Sequence, residues 1–330
     1  MTRRARAALA LLAPTLAAGF LLAREGARAQ EAPPAPARPL AALSSSLARA
    51  VERAAPAMVA IRSGGEDERS RRSARSGVVV APGLVATYAP HVEVFGLDGL
   101  VIEDAEGRQH SARLRGRDLR TRIVLLAAPT LKPAALPPAA PERARRAGAF
   151  ALALGTPLRR RGTPTATVGV LSARGRFQGR ADQLDAPLDR SNLGGAVVDL
   201  EGRLLGVSVQ VSERFGERSG VGFYVPLDLI RAVLPELEAG RQLEPGALGL
   251  HIPKVQSGGE GGVEVISATG AAAKVGLQRG DRIVTLAGRP TPDLVAFRRA
   301  VAYLYAGQRV TLRYQREGAE RELELELAPR

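Results

Sequence analysis

Residues 58–226 are written in short apolar segments set between glycine, proline and charged turns, and this pattern leaves few folds open. The segments fall at 58–61, 77–80, 84–87, 100–103, 123–126, 149–154, 165–171, 196–199, 204–211 and 221–226. Short strands at this spacing predict an all-β sandwich or barrel. Aromatic residues make up only 4% of the chain, so Val, Leu and Ala must fill the interior. A helix is expected at 44–53, from the spacing of Leu47 and Val51, and another at 227–237, ending near Gly240. Beyond a polar linker at 241–246 the pattern changes to mixed strand and helix, with a helix expected at 294–303 and strands at 309–313 and 320–327. A mainly β domain over 44–240 and a small α+β domain over 247–330 are therefore expected.

The N-terminus carries Arg3, Arg4 and Arg6, an apolar run at 7–23 and the small-x-small triplet Ala27-Arg28-Ala29. This is the pattern of a secretory signal over 1–29, cleaved near Ala29, with an exported, periplasmic or extracytoplasmic product. Pro14 interrupts the run, so a stable membrane span is not expected after cleavage; an uncleaved anchor is the alternative. Residues 30–43, rich in Pro and Ala, are expected to be a tether that packs no core.

There is no cysteine, which excludes disulfides and thiol chemistry, and His91, His110 and His251 are too dispersed to suggest a metal cluster. No metal and no cofactor is expected. The net charge of +14 comes almost wholly from arginine. Without aromatic residues interleaved among the cations, solvated arginine faces are preferred to a nucleic-acid surface. A basic anion- or nucleic-acid-binding role through 159–161 and 69–75 remains the weaker alternative.

At 191–199 the sequence Ser-Asn-Leu-Gly-Gly-Ala-Val-Val-Asp reads as a glycine turn feeding a hairpin with Glu201-Gly202 at its apex. It resembles the nucleophile loop of trypsin-like serine proteases of the HtrA type. The segments 116–121, 154–157 and 221–226 resemble other family motifs in the same order, and the resemblance runs from about Leu47 to the C-terminus. It implies a chymotrypsin-like double β-barrel followed by one PDZ domain. Carried over by position, the triad histidine falls on Pro90, with His91 one place late; the aspartate falls on Arg122 and the serine on Leu193. A leucine has no atom able to attack a carbonyl, and a triad needs nucleophile, base and acid together. His91 and Ser191 are the candidate remnants, and the amides of Ser191 and Leu193 the candidate oxyanion-hole donors. Ser191 is more simply read as a hydroxyl capping its own turn.

In the second domain, residues 246–250 resemble the carboxylate-binding loop of PDZ domains. The resemblance implies that Ala247, Leu248, Gly249, Leu250 and Ile252 receive a peptide C-terminus by β-augmentation, with Phe297 and Val301 lining a side-chain pocket or merely packing the core. The expectation is a catalytically inactive HtrA-like exported protein. It would bind unfolded or C-terminal peptides of envelope proteins, as a homo-trimer or mixed with an active HtrA-type protease. An active serine endopeptidase using His91 and Ser191 is the enzymatic alternative.

Overall fold

The computed structural model describes residues 38–64, 74–97, 99–132, 137–156, 164–211, 219–254 and 261–330. The expected signal segment, the 159–161 arginine run and most of the 69–75 loop lie outside these residues.

Helix α1 (Arg38–Ala54) begins earlier than the sequence suggests, within the stretch expected to be a tether. Pro39 lies in its first turn, where the missing N–H has no intrahelical partner to lose, and the Ala and Leu that follow are good helix formers. Ala50 and Ala54 are buried, Ala50 packs against the Gly202 turn, and Arg53 donates to the Glu201 carbonyl at 3.3 Å.

The first barrel follows from β1 (Met58–Ser63), β2 (Arg75–Ala81), β3 (Leu84–Tyr88), a one-turn helix α2 (Ala89–Glu93), β4 (Leu100–Glu103), β5 (Gln109–Asp118) and β6 (Ile123–Ala127). The strands run β5-β4-β1-β2-β3-β6, and pairing of β5 with β6 closes the ring. A second closed barrel has the order β10-β11-β12-β9-β8-β7. Its strands are β7 (Phe150–Gly155), β8 (Thr165–Gly175), β9 (Ala181–Leu184), β10 (Ala196–Val198), β11 (Leu204–Val209) and β12 (Gly222–Pro226). Helix α3 (Leu227–Glu238) leaves β12 and buries Leu229, Ile230, Val233 and Leu237. It lies so close to β5 that a Cβ on Gly116 would stand 2.6 Å from Leu237 Cα.

The segment expected to be a linker is structured. Strand β13 (Gln242–Leu243) adds in parallel to the end of β5, opposite Arg117 and Asp118. Then come β14 (Gly246–Ala247), β15 (Leu250–His251), β16 (Val263–Glu264), β17 (Ser267–Ala268), α4 (Gly270–Lys274), β18 (Arg282–Leu286) and β19 (Arg289–Pro290). Helix α5 (Leu294–Val301) is capped by the Asp293 carboxylate, which accepts from the Ala296 amide at 2.7 Å. Strands β20 (Arg309–Arg316) and β21 (Ala319–Glu326) form a long hairpin, and β22 (Ala328–Pro329) pairs with β14. This domain has its own core around Ile283, Leu286, Phe297 and Leu312.

Polar side chains tie that domain to the barrels. Arg120 donates to the Leu304 carbonyl at 2.7 Å, and the Tyr305 hydroxyl donates to buried Asp118 at 2.9 Å. Arg145 bridges Asp182 (2.7 Å) and Asp228 (2.9 Å), and Asp228 also accepts from the Tyr303 hydroxyl at 2.7 Å. Buried Arg145 is thus paired with two acids, as an unpaired buried charge would cost several kcal/mol.

Candidate active-site loop and peptide groove

The loop before β10 is held by Asp189. Its Oδ1 accepts from the Ser191 amide (2.7 Å) and the Ser191 hydroxyl (2.6 Å), while its carbonyl accepts from the Leu193 amide at 3.0 Å. Asn192 Oδ1 returns a bond to the Asp189 amide at 2.8 Å. Short Asp and Asn side chains bonding nearby backbone are what make such residues turn formers. The two amides named as oxyanion-hole donors are therefore both spent inside the turn, contrary to expectation. Asp189 is the signal that sequence reasoning passed over: an Asp two residues before a Ser in a tight turn competes for its amide.

Leu193 is 2% exposed, and its side chain joins Leu171, Leu184, Leu205 and Tyr224 in the interior of the second barrel. Gly194 follows at φ +84°, wedged where a Cβ would stand 2.6 Å from the Ser76 carbonyl and 2.5 Å from Thr87 Oγ1. Both the dihedral and the space exclude a side chain there. The Ser191 carbonyl is bonded by the Ser76 hydroxyl, so the loop is tied to β2 as well.

Pro90 occupies the first turn of α2, a place a proline fills without loss. His91, the next residue, is half-buried and reaches the same loop: its ring lies edge-on to Tyr88 (centroids 5.4 Å apart) and near the Leu193 carbonyl. Burial, with Arg75 and Arg190 nearby, lowers its pKa to about 4, the Leu193 carbonyl opposing the shift. Its Nδ1 meets no partner among the described residues. Arg122 is exposed at φ 62°, with its Nη1 3.4 Å from the Tyr88 hydroxyl and its carbonyl accepting from the Ala89 amide at 2.8 Å. The fold thus brings Pro90, His91, Arg122 and the Leu193 loop together. The Ser191 hydroxyl, however, bonds Asp189 and lies 3.3 Å from Thr165 Oγ1.

The seven residues expected to bind peptide come together in one groove of ≈ 430 Å³. Gly249 adopts φ +76° against the Thr269 carbonyl, a close approach open only to glycine. Its own carbonyl accepts from the Thr269 amide at 2.7 Å, and the Leu248 carbonyl from Ala272 at 3.2 Å. Among the described residues the amides of Leu248 and Gly249 meet no acceptor. Phe297 both packs the core and lines the groove, so the two readings of that residue hold together. The sequence did not point to Gln178, Lys254, Arg298 or Arg330, which also line it.

Two closed antiparallel barrels with a glycine-turn loop at their junction, joined to a small domain with a strand-helix groove, define a trypsin-like peptidase fold carrying a PDZ domain. Residues 75–207 match the trypsin-like peptidase domain family and residues 204–327 the PDZ domain family. The periplasmic serine endoprotease DegP of Escherichia coli K12 is 29% identical over 80% of this chain and 59% of its own length. DegP of Salmonella typhimurium is 30% identical over 76% of this chain and 56% of its own. The chain thus spans less than two thirds of these relatives. Among solved structures, the HtrA-type protease AlgW with a tripeptide superposes with TM-score 0.65 at 27% identity, covering 86% of this chain and 97% of AlgW. The serine endoprotease from Yersinia pestis gives TM-score 0.58 at 26% identity, covering 86% and 98%. The chain belongs to the HtrA-like family.

Proposed function

We propose that this chain is an exported, catalytically inert HtrA-like protein that captures unfolded or C-terminal peptide segments in envelope protein quality control, as a chaperone, adaptor or regulator. The observation that carries this is Leu193. A hydrocarbon side chain turned into the barrel interior stands at the nucleophile position, and the neighbouring amides already donate to Asp189. A leucine side chain has no atom to attack a carbonyl, and amides already donating to Asp189 speak against a loop that receives an oxyanion. Binding rests on the groove, whose Leu248 and Gly249 amides are unspent. Assembly as a homo-trimer, or with an active relative, belongs to the same proposal, as does export through residues 1–29. That relatives are named periplasmic and that no helix among the described residues is long and apolar enough to cross a membrane both favour it.

The enzymatic rival would use His91 and Ser191. The Ser191 hydroxyl donating to Asp189 speaks against it. The test is a fluorophosphonate probe with a casein digest on the purified protein. No labelling and no cleavage are expected; labelling abolished by Ser191→Ala would overturn inertness.

A further inference from the structure

The groove is charged on one side only. Every ionic side chain among its described lining residues is basic: Lys254, Arg298 and Arg330. The domain does not lack carboxylates; it holds them elsewhere. Glu320 and Glu322 pair with Arg313, Glu326 with Arg309, and Asp281 with Arg316. By contrast, Lys254, Arg298 and Arg330 take part in no ion pair among the described residues. Arg298 instead donates to the Lys254 carbonyl at 2.9 Å, and Arg330 to the side-chain oxygen of Gln178 at 2.7 Å. These bonds fix two guanidinium groups at the groove without neutralising them.

Their placement has a direction. Strand β15 starts beside the Gly249 turn, and Lys254 comes four residues after Leu250, where Arg298 draws the chain onto helix α5. A peptide paired antiparallel to β15 runs the other way at about 3.3 Å per residue. With its C-terminus at the Leu248 and Gly249 amides, its fourth or fifth residue from the end passes Lys254 and Arg298. We infer that the groove selects peptides with a free C-terminal carboxylate and acidic side chains about three to five residues upstream. The inference rests on the peptide-binding reading above and names the ligand class for it.

The test uses the full chain and fluorescent peptides sharing an apolar C-terminal residue, with Glu, Gln or Lys at the upstream positions. Anisotropy should show the Glu peptide binding about tenfold more tightly than the Gln peptide at low salt, the gap closing as salt rises. Lys254→Glu should abolish the preference for the Glu peptide over the Gln peptide. Arg309→Glu, on the exposed hairpin and with the same change in net charge, should leave the preference intact. Equal affinity for Glu and Gln peptides overturns the inference alone, as does equal loss in both variants, which would mean only a diffuse basic field. Absence of binding by any peptide overturns the inference together with the reading beneath it.

Discussion

Leu193 is a core residue of the second barrel. Leu193→Ser would remove three carbons' worth of packing from the second barrel and leave a hydroxyl there, so a loss of about 2–5 kcal/mol is expected in urea unfolding. A serine at this position therefore weakens the fold. His91 gives a second residue-scale prediction. Its folded pKa of about 4 lies below the ordinary 6.5, so the unfolded chain takes up the proton first. Stability should fall as pH drops from about 6.5 toward 4, by about 1–3 kcal/mol from this residue. His91→Gln should remove that part of the slope in denaturation measured at both ends of the window; an unchanged slope would dismiss it. Leu193 and Pro90 were singled out only by their position in the resemblance. The lock imposed by Asp189 could not be found in this way, since it depends on where a turn's amides point.

At the scale of elements, the barrels were the most legible part, because short continuous apolar runs bounded by turn residues are local signals, whereas β5 (Gln109–Asp118), whose burial alternates, was not among the expected segments. Each of the ten expected segments overlaps a strand, with ends shifting by a few residues: 204–211 shortens to β11, and 165–171 lengthens to β8. Less legible were α1, whose start hid in a proline-rich stretch, and β13, two residues that become a strand only because the edge of β5 is there to receive them. Such pairing has no local signature. The contact of β5 with α3 gives a further prediction. Gly116→Ala sets a methyl against Leu237 backbone, which cannot rotate away, so unlike most surface-strand substitutions it should cost about 1–3 kcal/mol by chemical denaturation.

For the whole molecule, the polar ties between barrels and PDZ domain are what sequence reasoning could least supply. Asp118, Arg145 and Tyr305 are separated by many residues, and nothing local in the sequence marks them as partners. Burial raises the Asp118 pKa, opposed by the Thr121 and Tyr305 hydroxyls and nearby amides. Tyr305→Phe removes one of those donors across the boundary. It should cost about 1–3 kcal/mol and separate the melting of the two domains, which calorimetry would register as two transitions in place of one. Unchanged cooperativity would mean that the remaining ties suffice.

Strand β13 makes the connection between the domains part of the barrel sheet, and Gly179 lies so near α5 that a Cβ there would come within 2.8 Å of the Arg298 carbonyl. Under the proposed function, a tail caught in the groove would not hang on a swinging arm. It would be presented at a constant bearing to the Leu193 turn, so that a client emerging upstream would meet the barrel along one reproducible path, and clients would be sorted by reach as well as by the chemistry of their ends.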